Sequence, residues 1–301
     1  LGTVGGGVAE VLWHHGKTDY NAVQLAGILE KNQENPNLPI WAQRDQNLLY
    51  SSLEELLADP SIQVVVETIG GQTFARELIT KILESGRDVV TANKDLMAVH
   101  GEELLALAEK NGRQLLFEAS VTGAIPVVRL LQDYFHVDDI EKVSGIFNGT
   151  SNYILTEMEQ KQISFEVALR QAQDFGFAEA DPTNDIAGYD ARYKLVILTY
   201  LITGVWLAPE QITLEGIEHL ETADFAYASR MDRCSLARPS NATSSCRLFM
   251  TARKRASINV QRINQVDMKT WIASAPPNAR NKKPEATIRT SKRTMCFRRI
   301  E

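Results

Sequence analysis

Hydrophobic positions along residues 1–231 alternate between a helical period and short apolar runs of strand length. After the glycines near the start, Val8, Val11 and Leu12 recur at helical spacing, and Ala22 to Leu29 reads as a strand. Ser51 to Leu57 opens a helix with a capping box, Ser52 to Glu55. Ile62 to Thr68 is a β-branched run closed by Gly70-Gly71, the pattern of a buried strand leading into a turn. Phe74 to Glu84 is helical, Asp88 to Ala92 a short strand, Glu102 to Lys110 helical, and Gln114 to Glu118 a strand. Short apolar strands alternating with helices predict an α/β fold with a doubly wound parallel sheet.

A second part begins near Ala119. Ile125 to Leu131 has helical spacing, with Pro126 allowed in the first turn. Ile140 to Phe147 is a strand ending in the turn Asn148-Gly149. Ser151 to Glu159 and Phe165 to Phe175 are helical, and a polar loop, Phe177 to Asp185, leads into a long helix from about Ile186 to Leu201.

Charge divides the chain differently. Residues 232–301 carry 16 basic and 4 acidic side chains, and residues 1–231 carry 16 basic and 34 acidic ones. All three cysteines (Cys234, Cys246 and Cys296) lie in the basic stretch, which has almost no sustained apolar periodicity. Three cysteines are too few for a disulfide scaffold, so a reducing, cytoplasmic setting is the default expectation. No apolar run is long enough for a membrane-spanning helix, and nothing reads as a secretory signal. The chain opens at Leu1 directly on glycines that normally follow a strand, so a fragment lacking its first strand is expected.

Gly2-Thr3-Val4-Gly5 would complete a G-x-G-x-x-G turn if a glycine preceded Leu1. Glycines let the backbone approach a pyrophosphate, and the following helix offers unpaired N–H groups and a positive dipole end. The plain alternative is a tight strand-to-helix turn. The alternating pattern downstream tips the reading toward a dinucleotide site. Glu30 stands where a ribose-reading acid belongs, with Lys31 after it; the acid favours NAD and the lysine would tolerate the phosphate of NADP, so both stay open. Thr91-Ala92-Asn93-Lys94 lies at the carboxyl end of a strand, the edge where open α/β sheets bind ligands. The loop from Ala178 to Asp185 holds Glu179, Asp181 and Asp185, and Asp190 and Lys194 follow on one helix face. As a surface pair these last two would add only about 0.2–0.5 kcal/mol. Held beside carboxylates in a cleft, the lysine would instead be a proton donor to a forming alkoxide. A metal cluster is the rival reading, and without His or Cys nearby only a hard cation would fit.

These blocks resemble homoserine dehydrogenase over about residues 1–231. The resemblance rests on Gly2-Thr3-Val4-Gly5-Gly6-Gly7, Val90-Thr91-Ala92-Asn93-Lys94, Phe117-Glu118-Ala119-Ser120-Val121 and Gly123-Ala124-Ile125-Pro126. It continues in Asn148-Gly149-Thr150-Ser151-Asn152-Tyr153-Ile154-Leu155 and Ala178-Glu179-Ala180-Asp181-Pro182, followed by Asp185, Asp190 and Lys194. It implies a Rossmann-type NAD(P)-binding domain over 1–118 and an α+β catalytic and dimerisation domain over 119–231. It implies reversible reduction of L-aspartate 4-semialdehyde to L-homoserine with NADPH or NADH, a step toward threonine, methionine and isoleucine. By the same resemblance Lys194 is the acid/base residue and Asp190 its partner, and Glu179 binds the substrate amine with Asp185 nearby. Lys94 meets cofactor and substrate. Thr68 and Thr91 line the nicotinamide site, and Gly2, Thr3, Val4 and Gly5 bind the dinucleotide. A sodium-type cation is held by Glu118 and the backbone oxygens of Val121, Gly123 and Ile125. Such proteins pair as homodimers through the second domain.

The resemblance stops near Met231, and residues 232–301 are expected to be a tail outside it. A reading-frame shift near Met231 is the hypothesis that explains the change, and resequencing the coding DNA for a homologous frame in another phase tests it. A basic nucleic-acid-binding module is the other expectation, without zinc spacing or an aromatic platform to support it. A catalytically inactive fragment is a further alternative. Aspartate-semialdehyde dehydrogenase handles the same aldehyde but needs a cysteine nucleophile, and residues 1–231 contain none.

Overall fold

The computed structural model describes residues 2–15, 23–32, 35, 38–135, 140, 142–225, 250–255, 258–261 and 263–267. The described chain forms two compact units, divided between Ser120 and Val121.

The first unit runs α1 (Thr3–His15), β1 (Ile28–Leu29), α2 (Ile40–Arg44), β2 (Leu49–Tyr50), α3 (Leu53–Ala58), β3 (Val64–Glu67), α4 (Thr73–Glu84), β4 (Asp88–Thr91), α5 (Lys94–Lys110) and β5 (Leu115–Leu116). Every strand pair is parallel. β1 joins β2, and β3, β4 and β5 form a sheet in that order, with Glu67 opposite Thr91 in the register. This is the α/β, Rossmann-type arrangement of strands and connecting helices. Ala75, Leu78, Ile79, Ile82 and Leu83 make one buried stripe on α4, at the spacing an amphipathic helix requires, and α4 packs on α5. Leu96, Met97 and Leu104 of α5 are likewise fully buried, and each such side chain contributes roughly 1.5–3 kcal/mol.

Four local expectations are corrected here. The run to Leu29 is strand only at Ile28–Leu29; Ala22 lies outside the described residues. β3 is not buried throughout: Val64 and Val66 are 45% and 38% exposed, and only Glu67 is buried. β3 is the edge strand of its sheet among the described residues. α5 begins at Lys94 rather than Glu102, because the Asn93 side chain accepts from Leu96 N and caps it. The capping box on α3 is split. Ser52 Oγ accepts from Glu55 N, but the Glu55 carboxylate reaches the N–H and hydroxyl of Ser51, which hold it below the usual carboxylate range.

The second unit contains α6 (Val127–Asp133), β6 (Lys142–Gly145), α7 (Gly149–Lys161), α8 (Phe165–Asp174), α9 (Thr183–Ile186), α10 (Tyr189–Thr203), β7 (Met250–Arg255), β8 (Ile258–Gln261) and β9 (Ile263–Asp267). Helices on a mixed sheet make it an α+β unit. The sheet order is β6-β7-β9-β8, antiparallel except between β7 and β9. These last three strands lie in the stretch where the sequence shows no sustained apolar periodicity; β7 pairs with β6, and β9 and β8 extend the sheet from β7. The cysteines and Met231 are outside the described residues. Ile154, Leu155 and Met158 of α7 pack with Phe165, Ala168 and Ala172 of α8.

The helix expected from about Ile186 to Leu201 starts at Tyr189, and the end of the expected loop forms a separate short helix, Thr183–Ile186, so the helical run is in two pieces. Gly188 breaks it with a φ of 88°, a left-handed conformation that side chains disfavour. A Cβ there would also approach Leu214 Cδ1 to 3.0 Å. The break leaves Asp185 on α9 and Asp190 on α10.

Candidate active site

In the first unit, the carboxyl ends of β3 and β4 are tied together by a buried polar network. Glu67 is 1% exposed. Its Oε1 accepts from the N–H groups of Ile69 at 2.7 Å and Gly70 at 3.0 Å, and its Oε2 from the Thr91 hydroxyl at 2.5 Å. Thr91 Oγ1 in turn accepts from Asn93 N at 3.0 Å, and Asn93 Nδ2 donates to the Gly71 carbonyl at 2.7 Å. Gly70 and Gly71, with φ of 79° and 72°, make the turn that this network closes. Lys94 follows as the first residue of α5, half-buried, with Nζ 3.7 Å from Asp95.

α1 starts at Thr3, and Gly2, Thr3 and Val4 are exposed at its open end with no acidic residue in the first turn. A Cβ on Gly2, Gly70 or Gly71 would meet nothing within 4 Å. Open N–H groups at a helix start and bare glycines at a strand-end turn fit the approach of phosphates. Gly5, Gly6 and Gly7 are inside the first turns of α1, so the glycine run serves the helix more than the turn before it. Glu30 accepts from Asn32 N and Asn35 Nδ2, each at 3.1 Å.

In the second unit the structure brings a cluster of charges on α9 and α10 against Phe147 and Asn148, whose backbone carbonyl and side-chain amide lie 47 and 37 positions from their partners Lys194 and Asp185. Lys194 Nζ donates to Asp190 Oδ2 at 2.7 Å and to the Phe147 carbonyl at 2.5 Å. Their side chains are 17% and 9% exposed, so the pair is much drier than a surface bridge. Breaking such a pair would leave an uncompensated buried charge. Asn148 caps α7 by accepting from Ser151 N at 2.8 Å, while its Nδ2 donates to Asp185 Oδ1 at 2.7 Å and Asp190 Oδ2 at 3.0 Å. Ser151 Oγ donates to the Asp185 carbonyl at 2.8 Å. Beside the cluster, the hydroxyl and N–H of Thr183 both donate to Asp181 and hold its carboxyl below the usual range.

The expected residues are thus partly assembled. Asp185, Asp190 and Lys194 meet around Asn148. Glu179 is exposed on the loop after α8, where its carbonyl accepts from Gln173 Nε2 at 3.1 Å. Thr68 is half-buried after β3, and Thr91 is buried with its hydroxyl committed. Glu118 opens a 3-10 turn in the first unit. In the second unit Val121 is buried, Gly123 and Ile125 are exposed, and the Ile125 carbonyl accepts the Thr122 hydroxyl at 2.7 Å. Among the described residues no three His, Cys, Asp or Glu side chains are grouped to hold a metal, and no helix is long and apolar enough to cross a membrane.

Two residues escape the sequence reading. Glu67 announces itself only as a carboxylate ending a β-branched run before Gly-Gly, and Asn148 only as an asparagine before a helix start, read above as a turn.

A family model described as homoserine dehydrogenase matches residues 126–272, and one described as the NAD binding domain of homoserine dehydrogenase matches residues 1–118. A homoserine dehydrogenase of Lactococcus lactis is 40% identical over 233 residues, covering 76% of this chain and 54% of the relative. The crystal structure of a homoserine dehydrogenase from Thiobacillus denitrificans superposes with a TM-score of 0.73 at 36% identity, covering 85% of this chain and 57% of that one. A hyperthermophilic archaeal homoserine dehydrogenase in complex with NADPH matches with a TM-score of 0.54 at 26% identity, covering 67% and 56%. The chain spans about half the length of the curated relatives it matches.

Proposed function

The chain belongs to the homoserine dehydrogenase family, and from that premise we propose that it reduces L-aspartate 4-semialdehyde to L-homoserine with NADPH or NADH. The observation that carries the reading is the Lys194 ammonium, held by Asp190 and the Phe147 carbonyl. An ammonium has three donors. Two are committed among the described residues, and the third is offered to a substrate oxygen.

Gly2, Thr3 and Val4 present backbone N–H groups to the dinucleotide phosphates, with Gly5 keeping the first turn of α1 close-packed. Thr68 and Lys94 line the nicotinamide end, and Thr91 holds the turn beside it, since its hydroxyl is already bonded to Glu67. When bound, the nicotinamide supplies the hydride. Lys194 then donates its proton to the oxygen of the reduced aldehyde, completing the alcohol; in the reverse direction the neutral amine takes that proton back. Asp190 orients Lys194 through its 2.7 Å hydrogen bond. Glu179 and Asp185 offer carboxylates to the substrate ammonium. For a sodium-type cation, the proposed oxygen donors are the carbonyls of Val121, Gly123 and Ile125 in the second unit and, on the first unit, Glu118. Pairing as a homodimer through the second unit belongs to the same proposal.

The test is aldehyde-dependent oxidation of NADPH by the purified chain. Turnover above a no-aldehyde control is expected. Retained NADPH binding without turnover would favour the inactive-fragment reading instead.

A further inference from the structure

We propose that Asn148 is a positioning residue, whose amide locks Asp185 and Asp190 into one arrangement and so aims Lys194. This rests on the role given above to Lys194. Asn148 is 8% exposed, and both of its amide donors and its oxygen have partners. Both Nδ2 hydrogens go to carboxylates, and Oδ1 accepts from Ser151 N. The opposite amide orientation would point Oδ1 at two carboxylates and the NH2 group at an N–H, so no alternative rotation satisfies the site.

A helix cap needs only the oxygen. The two donor bonds are therefore surplus to capping, and they join residues 37 and 42 positions away on two different helices. Asp190 Oδ2 receives both Asn148 Nδ2 and Lys194 Nζ. The amide consequently restricts the carboxylate that orients the ammonium, while Phe147, the residue before Asn148, supplies the second acceptor for Lys194. One short segment, Phe147-Asn148, fixes the lysine from both sides. The charged groups in this arrangement are Asp185 on α9 and Asp190 and Lys194 on α10; α7 contributes the neutral cap.

Two variants separate positioning from capping. Asn148→Asp and Asn148→Ser both keep a good capping oxygen; the first replaces the donors with a third carboxylate, and the second removes the amide without adding charge. The readout is the titration of the Lys194 side chain, followed by NMR in lysine-labelled full chain and assigned with Lys194→Arg. A third carboxylate stabilises the ammonium, so Asn148→Asp should raise the Lys194 midpoint by about one pH unit, a tenfold change in proton affinity. Asn148→Ser should raise it less, because Asp190 then relies more heavily on the lysine. In turnover, either variant should lower kcat by about ten- to a hundredfold with the KM for NADPH unchanged. A Lys194 titration identical to the parent in the folded variants would overturn the inference. Loss of cooperative unfolding in both would overturn it too, since Asn148 would then hold the unit rather than the site. A parent chain that shows no turnover refutes the activity, whereas the titration still decides the inference.

Discussion

The two polar networks are built from similar side chains and end in opposite states. Around Glu67, a buried carboxylate is satisfied entirely by N–H and hydroxyl donors of the protein itself. Around Lys194, two carboxylates and an ammonium share donors and acceptors so that one ammonium hydrogen stays uncommitted among the described residues. A closed network shapes a loop, because every group it buries has a partner and none is available to a ligand. An open one can do chemistry, because a charged group is oriented without being used up.

Breaking the open network should have the largest effect. Lys194→Ala is expected to lower turnover of the semialdehyde by about 10²–10⁴-fold, the range for losing a general acid, while NADPH binding measured by fluorescence stays near the parent value. Near-normal turnover would remove the lysine from the mechanism. Breaking the closed network should instead cost stability. Glu67→Ala leaves the Ile69 and Gly70 N–H groups and the Thr91 hydroxyl without their acceptor, and should lower the free energy of unfolding in urea by about 2–4 kcal/mol. Faster amide exchange at Gly70 should accompany it; an unchanged exchange rate would mean the turn holds itself.

A smaller change sharpens the comparison from the side of the backbone. Gly188→Ala adds a Cβ in a left-handed conformation facing Leu214, and should lower stability by about 1–2 kcal/mol. Its effect on turnover should exceed what that loss explains, since the break it strains sets Asp185 against Asp190. The smallest effect is electrostatic. Thr183 holds Asp181 ionised below the usual carboxylate range, so the associated stability is present at neutral pH and is lost as the pH falls through the folded midpoint. Thr183→Val should move that midpoint upward toward the ordinary value in an NMR titration, with turnover unaffected.

Much of this was legible along the chain. The alternation of periods identified α4, β4, α8 and the parallel sheet, because one-sided burial imposes its period on the sequence. Asp190 and Lys194 could be paired on paper, since positions four apart share a helix face. Glu67 and Asn148 could not be recognised for what they do. Each acts on a partner more than twenty positions away, and no local spacing encodes such a bond. Gly188 was missed for a related reason. Glycine is tolerated within helical patterns, and only the crowding by Leu214 shows why this one ends a helix.

Amino-acid order by itself therefore determined the family, the alternation of strand and helix, and the residue types from which a proton donor and its partner are drawn. Tertiary structure decided which carboxylates meet, and that an asparagine stands between them. The reason is one of range. Periodicity and capping act within a few residues, whereas a buried charge cluster exists only where packed helices bring distant donors and acceptors within hydrogen-bonding distance.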